Sequence, residues 1–317
     1  MSKKDIEVEI VINLLQDWAK EIKKITMCAN VFLFGSLVNR NHRHFIVSGA
    51  VESDIDILIE FDSNQVDAFA RLECCSKLQN TVAELENSLC IALKRDFPKQ
   101  PLLSILPVTQ YDVYHCIHKG FDPKIYTHSI FKDLINNENE SKHLNHFIDY
   151  KYLMENIELF AVARITQKIR NVFLKTNSYN ERAINQYKSE ETINNNFDTL
   201  PKEIMRTGAL LRYVTAGGDT DPHNLAFRTD LEKGEEFIFK AVESLVHEDV
   251  RYNDLYEKLS ARRFVRSDSP SLLPSDILLI SEIMYDVMIQ ISQPSVREII
   301  DKILAEDILS KKEKNDA

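Results

Sequence analysis

Two aspartates one residue apart, Asp54 and Asp56, head the run Asp54-Ile55-Asp56-Ile57-Leu58-Ile59-Glu60-Phe61. In a β-strand successive side chains point to opposite faces, so both carboxylates share one face and Ile55, Ile57, Ile59 and Phe61 share the other. The carboxylates then lie within about 7 Å of each other along the strand. Anions held that close repel, and a divalent cation relieves the repulsion. Mg²⁺ is a hard ion that takes oxygen ligands and is normally shared between carboxylates and substrate phosphates. A third carboxylate from a neighbouring strand would complete a two-metal cradle for in-line phosphoryl displacement.

Asp112, in Tyr111-Asp112-Val113-Tyr114, is the expected third carboxylate, on a strand reached after a long helix. It is also the group expected beside an attacking hydroxyl, placed to help take its proton. Glu60 is a competitor on the Asp54 face, two steps further along the strand. Gly35-Ser36 follows the short apolar run Val31-Phe32-Leu33-Phe34. Glycine lets a backbone approach a phosphate closely, and the turn's N–H groups with the Ser36 hydroxyl can donate to anionic oxygens.

The elements that must position these residues follow from periodicity. Residues 5–25 carry an apolar stripe at helical spacing, and 31–34 and 54–61 read as buried strands. A long helix is expected over 65–95, ended by Pro98 and Pro101. Leu102 to Leu106 and Gln110 to Ile117 read as a further strand or hairpin. From about residue 126 the pattern is helical, with 147–175, 200–215, 231–247, 249–260 and 276–293 as helices. A last stretch, 295–310, runs into a charged tail. Residues 136–146 and 176–199 read as connections, and 216–224 as a turn. The predicted organisation is a strand-bearing domain over 1–125 and an all-helical domain over 126–317.

Composition narrows the function. The 317 residues hold 49 Asp plus Glu against 39 Lys plus Arg, a formal charge of −10, which argues against general nucleic-acid binding. Seven glycines are too few, and too scattered, for a dinucleotide fingerprint or a Walker-type loop. Five cysteines without a CxxC pair suggest free thiols and a cytoplasmic protein, and no apolar run is long enough for a membrane span.

LFGSLVNR followed by SDIDILIEF resembles the nucleotidyltransferase superfamily, the polymerase-β-like fold with its GS…DxD motif, and is nearest to the antibiotic and minimal nucleotidyltransferases. The resemblance covers roughly the first 120 residues. It implies an α+β fold, a polymerase-β-like nucleotidyltransferase core (a mixed sheet flanked by helices) followed by an all-helical C-terminal domain. It further implies Asp54, Asp56 and Asp112 as catalytic metal ligands for two Mg²⁺ ions, and Gly35 and Ser36 as nucleotide-binding residues. ATP or another NTP is the implied substrate, an NMP passing to an acceptor hydroxyl with release of pyrophosphate. The acceptor stays open: a small molecule or antibiotic, a protein or RNA in a toxin or defence system, or a second nucleotide in messenger synthesis. An acidic cleft would favour a cationic small molecule. A non-catalytic nucleotide-binding scaffold is the reading of a different class.

Two features depart from the family pattern. Seventeen residues separate Ser36 from Asp54, and Asn39-Arg40 stands where an arginine-glycine pair is common. The 37–53 segment is therefore an insert of open role. Weaker signals read as ordinary structure: Arg40, His42, Arg43 and His44 as a solvated loop, His115 and His118 as strand and turn histidines without zinc, and Asp219 and Asp221 as turn residues. Arg206 and Arg212 are about 240° apart on a helix, so at most one could reach a triphosphate.

Overall fold

The computed structural model describes residues 3–26, 28–38, 46–47, 50–51, 53–62, 67–94, 102–136, 141–174, 202–215, 230–264 and 272–292. The Arg40–His44 cluster, the 176–199 connection, the 216–224 turn with Asp219 and Asp221, and the 295–310 stretch lie outside the described residues.

Helix α1 (Lys3–Ile25) leads into strand β1 (Cys28–Phe34), and β4 (Ile55–Phe61) returns antiparallel beside it. Between them Ile46–Val47 (β2) and Ala50–Val51 (β3) form a separate two-stranded ribbon within the insert. Helix α2 (Ala68–Ala92) then crosses over to β5 (Leu103–Thr109), which runs parallel to β4. Asp67 caps α2 by accepting from the Ala70 N–H at 2.8 Å. The sheet order is β5-β4-β1-β6-β7, with β6 (Phe131–Asp133) antiparallel to β1 and β7 (Ser141–Lys142) antiparallel to β6. This is the mixed, helix-flanked sheet expected of a polymerase-β-like core.

Alternation along β1 and β4 divides their residues between two packed layers. Val31, Leu33, Ile55, Ile57, Ile59 and Phe61 pack with α1 and α2. Phe32, Phe34, Leu58, Leu106 and Val108 pack on the other side with Val113, Cys116, Tyr126 and Phe131. Asp56 belongs to this second face, and Asp54 stands exposed just before the strand.

Three sequence-based expectations are corrected. Residues after 125 are not all helical, because β6 and β7 join the sheet beside β1. Residues 110–117 are not a strand. Gln110–Tyr114 is a short helix, α3, because Thr109 accepts from the Asp112 N–H while Asp112 accepts from the Thr109 N–H. That reciprocal capping box starts a helix where apolar-polar alternation alone suggests β. Lastly, 147–175 is two helices, α5 (Tyr150–Glu155) and α6 (Ile157–Phe173), broken at Asn156.

Helix α4 (Ile125–His128) precedes β6, and the remaining helices are α7 (Lys202–Thr215), α8 (Leu231–Val246), α9 (Asn253–Phe264) and α10 (274–292). They share a core with α6 that includes Phe160, Leu211, Ile238, Ile280 and Met284. Helices α7 and α8 cross at Gly208 and Gly234, where a methyl on either would meet the other helix's backbone. Helix α6 also covers the free edge of β5: Asn171 donates to the Ile105 carbonyl and Arg170 to that of Pro107.

A charged cluster joins the sheet to these helices. The Arg170 guanidinium grips Glu282 through Nε and Nη2 at 2.6 and 2.8 Å, and Arg71 from α2 donates to the same carboxylate and to Asp286. Burial opposes the charge on Glu282, but the two arginines outweigh it and hold the carboxyl below its ordinary range.

Candidate active site

Phe34 pairs with Asp56 across β1 and β4, so the residue after Phe34 is delivered to the Asp56 carboxylate. That residue is Gly35, at φ +78°, opening a 3₁₀ turn over Gly35–Leu37. A side chain there would be strained by the left-handed backbone and would collide with Asp56 Oδ2. Two independent constraints thus ask for glycine. The turn closes by a Val38 N–H bond to the Gly35 carbonyl at 3.2 Å, and Ser36 donates its hydroxyl to that of Ser53 at 3.0 Å.

Asp54 is exposed just before β4, and Asp56 is half-buried within it. Burial, then the charge of Asp54, pushes the Asp56 carboxyl up to about 6; a hydrogen bond with Ser104 and the charge of Lys119 pull the other way. The charge of Asp54 thus reaches the Asp56 carboxyl.

Asp112 is not with them. In the strand register Asp56 faces Ser104 while Phe61 faces Thr109. Thr109 is five residues beyond Ser104, about 17 Å along the strand, and Asp112 follows it. Its side chain is fully buried, accepting from the Thr109 N–H at 2.9 Å, from Tyr285 at 3.1 Å and from Arg170 at 3.5 Å. Burial raises its pKa despite Arg170. The expected third metal ligand is a capping and core residue instead, and with it goes the proton-accepting role at the hydroxyl. Glu60 is no substitute: it is buried and takes a 2.6 Å bond from Asn30. Opposite Asp56 on the adjacent strand stands a serine.

Two participants were missed in the sequence. Ser104 is visible only once β5 is known to pair with β4 in this register. Lys119 lies in the turn after α3, which folds back over the sheet face, with Cys116 packed on Leu58 and Leu106. Of the other candidates, Arg206 acts electrostatically on Arg164, and His115 stacks among Tyr111, Tyr152 and Phe160. Among the described residues no group of three or more His, Cys, Asp or Glu could hold a metal. Asp54 and Asp56 fit a dication that takes its remaining ligands from a substrate: they are crowded anions beside a turn kept clear of side chain at Gly35.

The match to known families bears on this arrangement. Residues 14–290 match NTase-conflict, described as Pol beta superfamily nucleotidyltransferase in conflict systems. The chain belongs to that family. No curated protein and no solved structure matches it. As a Pol beta superfamily nucleotidyltransferase it is a transferase, and the match spans both the sheet and the helices α7 to α10 rather than the first 120 residues alone. All five cysteines are free and buried, and no described helix is long and apolar enough to cross a membrane.

Proposed function

We propose that the chain is a Mg²⁺-dependent nucleotidyltransferase that moves an NMP, AMP from ATP, to an acceptor hydroxyl. The observation that carries this reading is the contact of Gly35 with Asp56: a phosphate-approach turn and a metal-binding carboxylate share one corner. Gly35 and Ser36 offer N–H groups and a hydroxyl to the triphosphate. Asp54 and Asp56 hold the dication from the strand side, and Ser104 orients Asp56 through their hydrogen bond. The bound ion would supply charge stabilisation for the α-phosphorus and the pyrophosphate leaving oxygens. With Asp112 placed elsewhere, the carboxylates among the described residues support one ion rather than two.

Membership in a family of conflict systems favours an acceptor met in toxin or defence chemistry over an antibiotic. A second reading, nucleotide binding without transfer, draws on Ser104 standing where a third carboxylate would complete the cradle. One experiment separates them: the full chain is incubated with each α-labelled NTP, Mg²⁺ and a cell extract. Label passing to an extract component, lost with EDTA and in Asp54→Ala/Asp56→Ala, supports transfer. Retained nucleotide with no label passed on supports the binding reading.

A further inference from the structure

The turn that carries Lys119 towards Asp56 has a second side. His118 and Phe121, flanking Lys119 and Gly120, line a cavity of about 240 Å³ that is closed on the far side by α5 and α6. Its mouth shows three large apolar side chains to solvent: Phe121 57% exposed, Tyr150 52% and Met154 63%. The turn is also strained. Cys116 and Phe121, neither a glycine, sit at φ +54° and +63°, a conformation that costs free energy and is kept where surrounding structure enforces it.

The polar groups of the cavity are few and of one character. The Arg164 guanidinium lies 4.3 Å above the Phe121 ring, held by a 3.3 Å bond to the Ile157 carbonyl. Burial lowers its pKa from the usual arginine value, Glu158 works against that shift, and Arg206 adds a second positive charge nearby. His118 accepts from the Gly120 N–H at 3.3 Å through Nδ1, which burial keeps neutral. A planar apolar ring fits here by stacking and dispersion, and a negative or neutral substituent suits Arg164. A polycation does not. A nucleobase, read by hydrogen bonds to its edges, would find Nδ1 of His118 already engaged and almost entirely apolar walls around it.

We infer that this cavity is a ligand site, taking a planar aromatic small molecule that is uncharged or anionic. One turn forms both walls: His118 and Phe121 face the cavity, while the charge of Lys119 acts on Asp56.

The test uses the full chain and 1-anilinonaphthalene-8-sulfonate, a flat, apolar, anionic fluorophore, as the probe. Saturable fluorescence enhancement is expected. It should weaken at least about tenfold in Met154→Arg, a change at an exposed position that plugs the mouth, and in Arg164→Gln. Adenosine and Mg²⁺-ATP should leave the probe bound. No probe binding in the wild type, equal binding in both variants, or displacement by adenosine overturns the assignment; the last makes the cavity a base site.

Discussion

Asp56 and Ser104 face each other across the parallel strands β4 and β5, joined side chain to side chain by a hydrogen bond. A third carboxylate from a neighbouring strand would occupy this place, and its replacement by a hydroxyl changes the electrostatics of the corner. Ser104→Asp should therefore lower stability without metal by about 1–2 kcal/mol, because a third anion joins two that already repel. Mg²⁺ should restore more stability to this variant than to wild type. Thermal unfolding with and without Mg²⁺ checks both parts.

Asp56 also makes stability depend on pH. Its folded pKa of about 6 lies above the ordinary aspartate value of 3.8, so the folded state holds this proton more tightly than the unfolded chain. Its contribution is most favourable below pH 4 and declines as pH rises to about 6, then stays flat. Asp56→Asn removes that decline. The variant should be more stable than wild type by about 1–2 kcal/mol at pH 8, with the difference shrinking towards pH 4, by urea unfolding across that range.

Arg170 and Glu282 test the buried cluster. Both side chains are fully buried, and removing one leaves the other's charge uncompensated. Glu282→Ala should cost about 3–5 kcal/mol in urea unfolding. Asp112→Asn keeps the size of the side chain and should leave Mn²⁺ affinity at the Asp54–Asp56 corner unchanged. A loss of metal affinity in Asp112→Asn would return it to the site.

Much of the core was legible because period decides it. The apolar stripe of α1, the runs of β1 and β4, and the long α2 all appear within a residue or a few of where spacing places them. Asp112 was misread because Tyr111-Asp112-Val113-Tyr114 alternates like a strand, while the Thr109–Asp112 capping pair, equally present in the sequence, starts a helix. Glu282 and Asp286 interrupt an otherwise apolar helix, a local signal of buried charge, yet nothing local names Arg170 and Arg71 as their partners. Ser104 and Lys119 depend on strand register and on a returning turn. Those are long-range facts, fixed by packing rather than by pattern.

The central claim is that Asp54 and Asp56 bind a dication together with a triphosphate resting on Gly35 and Ser36. Manganese binding followed by electron paramagnetic resonance, in the presence of a non-hydrolysable ATP analogue, measures it most directly. One Mn²⁺ should bind per chain, more tightly with the analogue than without, and Asp54→Ala/Asp56→Ala should lose that site. Equal Mn²⁺ affinity in the double variant, or affinity in wild type that ignores the analogue, would contradict the account.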